Sequence, residues 1–128
     1  GTATRDFIFV QDIVEGLMAC AIRGSAGEVY NLASGAETTI RRLAELILET
    51  TNSGSRLITS PSRPWDRSGQ RYGCTKKSKA DLGFEASVDL SEGIGMTVEW
   101  TLEHLDRIEA SMRRHADHVD LSEVGLGR

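Results

Sequence analysis

Arg5 and Asp6 stand directly ahead of an apolar run at residues 7–10, and a second charged pair, Arg63 and Asp66, brackets a proline and a tryptophan in the stretch 63–66. Gln70 and Arg71 follow closely, and His115 and His118 lie one helical turn apart beside Asp117 and Asp120. A guanidinium presents a rigid fork of N–H donors that matches phosphate oxygens, so arginines in such positions are candidates for holding an anion. Each group also has a plainer reading. Arg5 could form a surface ion pair with Asp6 or Asp12, and the 63–66 stretch taken alone is a turn with a solvated charge. The histidines have the spacing of metal ligands but fit a solvated helix end better, and we predict no metal.

Composition narrows what these groups can do. With 128 residues, 39% hydrophobic and 27% charged, the chain has the character of a globular domain or part of one. Its net charge of −4 gives no general attraction for nucleic acid or anionic lipid, so any anion must be held by individually placed arginines. No apolar stretch approaches the roughly 20 residues that span a bilayer, and the N-terminus has no signal-like pattern. The expectation is a soluble cytoplasmic protein without nucleic-acid or membrane partners. Cys20 and Cys74 lack CxxC spacing, and Cys20 reads as a free thiol packed like a small hydrophobe.

The elements that must position the charged groups alternate along the chain. Residues 7–10 read as a strand; Asp12 then suits the N-cap of a helix carrying Ile13, Val14, Leu17, Met18, Ala21 and Ile22 at helical spacing. Residues 28–33 read as a second strand with apolar residues on both faces, which calls for cover on two sides. Thr38 or Thr39 caps a second helix through Ile40, Leu43, Ala44 and Ile47. Residues 56–60 suit a short edge strand, a brief helix fits 76–82 with Gly83 as its stop, and Asp89 with Glu92 opens one long final helix striped by Ile94, Val98, Leu102, Leu105, Ile108 and Met112. This order predicts an α/β protein with a small parallel sheet flanked by helices. Two strands make too small a sheet to cover residues 28–33 on both faces, so the segment is expected to be incomplete and to be finished by further strands from elsewhere.

Read in series, "RDFIFVQD", "GEVYNLASG", arginine-proline-x-aspartate and "LGFEASVDLSEGIGMTVEW" come in an order and with gaps that resemble the C-terminal portion of the extended short-chain dehydrogenase/reductase superfamily, closest to its nucleotide-sugar epimerases, dehydratases and decarboxylases. The resemblance covers roughly residues 4 to 103 and is more specific than any of its pieces. It implies that Arg5 lies near the pyrophosphate of a nucleotide-sugar, that Arg63 is a second phosphate-binding arginine, and that Asp66 accepts hydrogen bonds from ribose hydroxyls; Gln70 and Arg71, close behind Asp66, are candidates to extend the clamp. Asp6 would orient a loop or pair with an arginine. Two arginines approaching a diphosphate from separate segments would reconcile anion binding with an acidic chain.

Tyr72 and Lys76 have the Tyr-x-x-x-Lys spacing of this superfamily's catalytic pair, but in the family that pair precedes the arginine-aspartate motif, whereas here it comes after. We therefore assign no catalytic residue. In the register of the resemblance an aspartate stands where this chain has Cys74, which transfers any capping of the 76–82 helix to Thr75. No glycine fingerprint follows an opening strand, so NAD, the cofactor that the resemblance implies, is expected to be bound by a preceding Rossmann domain missing from this chain. Residues 1–119 would form the substrate-binding segment, with 7–50 packing on the missing Rossmann sheet and 120–128 a flexible tail. By itself this segment is expected to turn over no nucleotide-sugar. The alternative reading is a self-associating or partner-binding module built on the long final helix.

Overall fold

Residue pairing at the very start of the chain sets the frame. In a computed structural model, which describes residues 1–59 and 69–115, β1 (Thr4–Arg5) pairs with β2 (Thr38–Thr39) in an antiparallel ladder, Thr4 opposite Thr39 and Arg5 opposite Thr38. The helices are α1 (Val10–Arg23), α2 (Ile40–Thr51), α3 (Lys76–Leu82), α4 (Leu90–Glu103) and α5 (Leu105–Arg114). The chain divides into two compact units, Gly1–Gly95 and Met96–Arg128.

The α/β class and the small helix-flanked sheet are as expected, but the pairing is antiparallel and uses different residues. Residues 7–9 form no strand, and the next helix already begins at Val10. Residues 28–33 and 56–59 form none either. A strand needs a backbone ladder for its N–H and C=O groups, and among the described residues the one ladder joins β1 to β2; the 28–33 run instead meets residues 73–74 through the Ala33 side chain and a bond from Asn31 Nδ2 to Cys74 O.

In the first unit the core is small: Ala19, Leu82 and Phe84 are buried together, with Ile8, Cys20, Tyr30 and Leu32 packed around them. Burial of apolar surface holds α1 against α3, and Arg23 Nε ties the same two helices by donating to Leu82 O at 2.6 Å. The face that α1 turns inward carries Asp12, Gly16 and Ala19, whereas its apolar stripe of Val10, Val14, Leu17, Met18 and Ile22 stays exposed. Small residues allow this close approach; a Cβ on Gly16 would press on the Leu32 methyls and the Phe84 ring.

Helix ends obey local chemistry in most places. Thr39 Oγ1 accepts Arg42 N at 3.0 Å, and Asp89 Oδ1 accepts Glu92 N at 3.0 Å, both as expected. Gly83 closes α3 in the left-handed region at φ 62°, with its own N–H on Lys79 O and Phe84 N on Ser78 O. Two expected caps are absent. Phe9, not Asp12, is the N-cap of α1, and the Thr75 side chain makes no cap bond to α3. Cys20 and Cys74 are both free thiols, the first half-buried and the second exposed.

In the second unit the single final helix expected from the stripe is divided. His104 takes φ −113° and ψ 15°, well off helical values, and separates α4 from α5. Its ring stacks on Trp100 at 4.5 Å between centroids, and its Nδ1–H donates to Trp100 O at 2.9 Å. Arg113 pairs with Glu109 one turn away on α5.

Candidate functional site

Asp6 comes directly after β1 and gathers three pieces of chain on one carboxylate. Its Oδ1 accepts from Ser34 N at 2.9 Å and Ser34 Oγ at 2.6 Å, and its Oδ2 from Gly35 N at 3.0 Å and Gly73 N at 3.1 Å. Burial, the largest single influence, pushes its pKa up, but the four hydrogen bonds to the charged form outweigh it and hold the carboxyl below its ordinary value. Gly35 supplies the left-handed turn at φ 74° that brings its amide round to the carboxylate. Gly73 must be glycine for another reason, since a Cβ there would fall on the Ala33 Cβ.

Arg5 belongs to the same knot. Its Nη1 donates to Thr4 O at 2.6 Å and to Gly69 O at 3.2 Å, and that Gly69 carbonyl also accepts Thr4 N at 3.2 Å. The buried Thr4 hydroxyl donates to Glu37. Residues 69–73 are thus fastened to the start of the chain at both ends, at Gly69 by Thr4 and Arg5 and at Gly73 by Asp6. Arg71 sits midway between the two fastenings and is exposed. The structure therefore brings together the segments of Arg5 and Arg71. Arg63 and Asp66, with Trp65 between them, lie outside the described residues.

Tyr72 and Lys76 are not arranged as a catalytic pair on one helix. Positions i and i+4 face one another only within helical backbone, and α3 begins at Lys76 itself, leaving Tyr72 in the irregular approach. Among the described residues no group of three or more His, Cys, Asp or Glu is placed to hold a metal ion; His118, Asp117 and Asp120 lie outside those residues.

Asp12 performs a second fastening of the same chemistry elsewhere. Only 1% exposed, it accepts from Ser87 N at 3.0 Å, Ser87 Oγ at 2.9 Å and Val88 N at 3.2 Å, tying α1 to the approach of α4. A buried carboxylate must find partners, and the cap position offered fewer than this loop does. The loop-orienting role of Asp6 was legible; its partners were not, because Ser34, Gly35 and Gly73 lie 28, 29 and 67 residues away. The one usable signal was the serine-glycine pair at 34–35, a hydroxyl donor beside a residue free to turn.

The helix starts also bear on a dinucleotide. Its pyrophosphate sits where a strand, a glycine-rich turn and a helix N-terminus meet. The described helices begin instead after Phe9, Thr39, Thr75, Asp89 and His104, so these residues do not fit NAD in that manner.

With a small sheet, flanking helices and Arg5 bonded at the sheet's edge, the described part has the architecture of one portion of an α/β protein. Comparison with known proteins makes the assignment specific. The dTDP-glucose 4,6-dehydratase of Streptomyces griseus is 35% identical over 107 residues, covering 81% of this chain and 32% of that protein. The Bordetella bronchiseptica enzyme WbmF, solved with NAD+ and UDP, superposes with a TM-score of 0.82 at 49% identity, over 93% of this chain and 36% of that one. An epimerase of Methanothermobacter thermautotrophicus gives 0.82 at 37% identity, over 87% of this chain and 33% of its own. No family model matches. The chain belongs to the extended short-chain dehydrogenase/reductase family, among its nucleotide-sugar epimerases and dehydratases. It spans about a third of the length of the curated relatives it matches.

Proposed function

We propose that this chain is the nucleotide-sugar-binding part of an NAD-dependent sugar epimerase or dehydratase, with Arg5, Arg63 and Arg71 clamping the diphosphate of a UDP- or dTDP-sugar and Asp66 accepting from the ribose hydroxyls. The observation that carries this reading is the bond from Arg5 Nη1 to Gly69 O, which joins Arg5 to the 69–73 segment that carries Arg71. The likeness to an enzyme solved with UDP supports the same ligand chemistry. Guanidinium groups on separate segments neutralise a diphosphate without making the protein basic.

In this reading NAD is held by the preceding Rossmann part of the parent polypeptide, which residues 7–50 would pack against. Residues 1–119 form the substrate segment, and the tail 120–128 lies outside the described residues. The segment alone turns over no substrate. Among the described residues no helix is long and apolar enough to cross a membrane.

Calorimetric titration with UDP and dTDP tests the clamp. Saturable binding that is lost in Arg63→Ala and weakened in Arg5→Ala and Arg71→Ala is the expected result, and equal heats from all four proteins would refute it. Incubation with NAD and UDP- or dTDP-sugars tests inactivity, which any epimerisation or dehydration by the pure chain would disprove. A second reading, a self-associating or partner-binding module, draws on the exposed Trp100, Leu102, Leu105 and Met112 of the second unit. Light scattering separates the two, since an oligomer indifferent to nucleotide would favour association.

A further inference from the structure

We propose that Asp6 is a positioning residue for the anion site, holding the 69–73 segment so that Arg71 is presented beside Arg5. This rests on the clamp reading and adds to it the group that sets the spacing of the clamp. The geometry is a two-point tether. Gly69 O takes Thr4 N and Arg5 Nη1, Gly73 N is held on Asp6 Oδ2, and Arg71 lies between the two fixed points. Three residues spanning two such anchors have little freedom to swing, so the backbone carrying the guanidinium is set before a ligand arrives.

The other oxygen of Asp6 anchors the tether in turn. Through Ser34 N and Oγ it is locked to the loop before β2, and β2 is the strand that pairs with Arg5 itself. The carboxylate thus closes a loop of contacts: Arg5 to Thr38, the 34–35 turn to Asp6, Asp6 to Gly73, and Gly69 back to Arg5. Gly73 packs directly on Ala33 of the same loop, which leaves no slack between the two pieces. Asp6 needs no contact with the ligand to act here, and it differs in that from the arginines.

Asp12 supplies the control, because it makes the same kind of carboxylate-to-amide fastening on Ser87 and Val88, residues outside the clamp. Asp6→Asn, Ser34→Ala and Asp12→Asn would be compared with the unaltered chain by UDP titration and by amide hydrogen exchange over residues 69–73. Asp6→Asn is expected to weaken UDP binding about tenfold and to speed exchange at 69–73, Ser34→Ala to do both less, and Asp12→Asn to leave UDP affinity within about twofold. Both aspartate changes lower the melting temperature, so melting does not distinguish a positioning role from a structural one, whereas affinity does. UDP affinity in Asp6→Asn equal to that of the unaltered chain, or unchanged exchange at 69–73, overturns the proposal, as does an equal loss of affinity in Asp12→Asn. If Asp6→Asn does not fold, Ser34→Ala decides by the same readouts. Failure of the unaltered chain to bind UDP would instead remove the clamp reading, and the exchange at 69–73 would then decide whether Asp6 holds the segment.

Discussion

A carboxylate removed from water has to recover its lost hydration in hydrogen bonds, and Asp12 shows the consequence for pH. Burial, the stronger single influence, raises its pKa, but Ser87 and Val88 together lower it below the ordinary value. A depressed folded-state pKa contributes stability that is fully present above the unfolded value, about pH 4, and is lost as pH falls below it towards the folded value. Asp6 is shifted in the same direction for the same reason. Thermal melting from pH 7 down to pH 2 should therefore show a steep acid limb below about pH 4 that is shallower in Asp12→Asn, which also costs about 1–3 kcal/mol at neutral pH. Parallel acid limbs in the two proteins would contradict the assignment. Gly73→Ala belongs to this scale too. Its methyl would meet the Ala33 Cβ, not the far end of a flexible chain, so backbone must shift, at a cost of about 1–3 kcal/mol. A melting temperature unchanged in Gly73→Ala would show that the two loops are less tightly apposed.

Helices were the legible elements, and their caps show why. Thr39, Gly83 and Asp89 act through neighbours three to five residues away, so the sequence window that contains the residue also contains its partner. Thr39→Ala should lower stability by about 1 kcal/mol, while Leu82→Ala, at a fully buried position between α1 and α3, should cost about 2–5 kcal/mol; urea unfolding measures both. A Leu82→Ala loss no larger than that of Thr39→Ala would deny Leu82 its central place. Strands were less legible because a ladder is a property of two segments. Residues 7–9 and 28–33 have strand composition, yet among the described residues no backbone ladder forms with them; the ladder that does form pairs Thr4 with Thr39 and Arg5 with Thr38, too short a run to show a strand pattern. The inward face of α1 is hard to read on similar grounds. Its apolar periodicity identifies a helix correctly, but Gly16 and Ala19, by their smallness, decide which side lies close against Leu82 and Phe84. At the site, the arginine motif was readable as a motif, while the fastening by Asp6 depended on contacts dozens of residues apart.

At the scale of the whole molecule, the α1 stripe is the feature that needs a consequence. Val10, Val14, Leu17, Met18 and Ile22 recur on one face of a 14-residue helix and are 53–70% exposed, with Val29 at 80% in the same unit. A contiguous apolar face of that kind in water favours association. The chain spans about a third of its relatives' length. On the proposed reading the stripe is a face that the rest of a parent polypeptide would cover, and the prediction for the separate chain is that a second copy covers it. Sedimentation velocity over a wide concentration range should accordingly show the 128-residue chain associating with itself. The paired change Val14→Gln with Leu17→Lys should shift it to monomer without lowering the melting temperature, because exposed positions away from special contacts usually change stability by less than about 0.5 kcal/mol. A loss of several degrees on that double change would mean that the stripe is already packed within the chain. A monomer at every concentration in the unaltered chain would mean that its exposure drives no association.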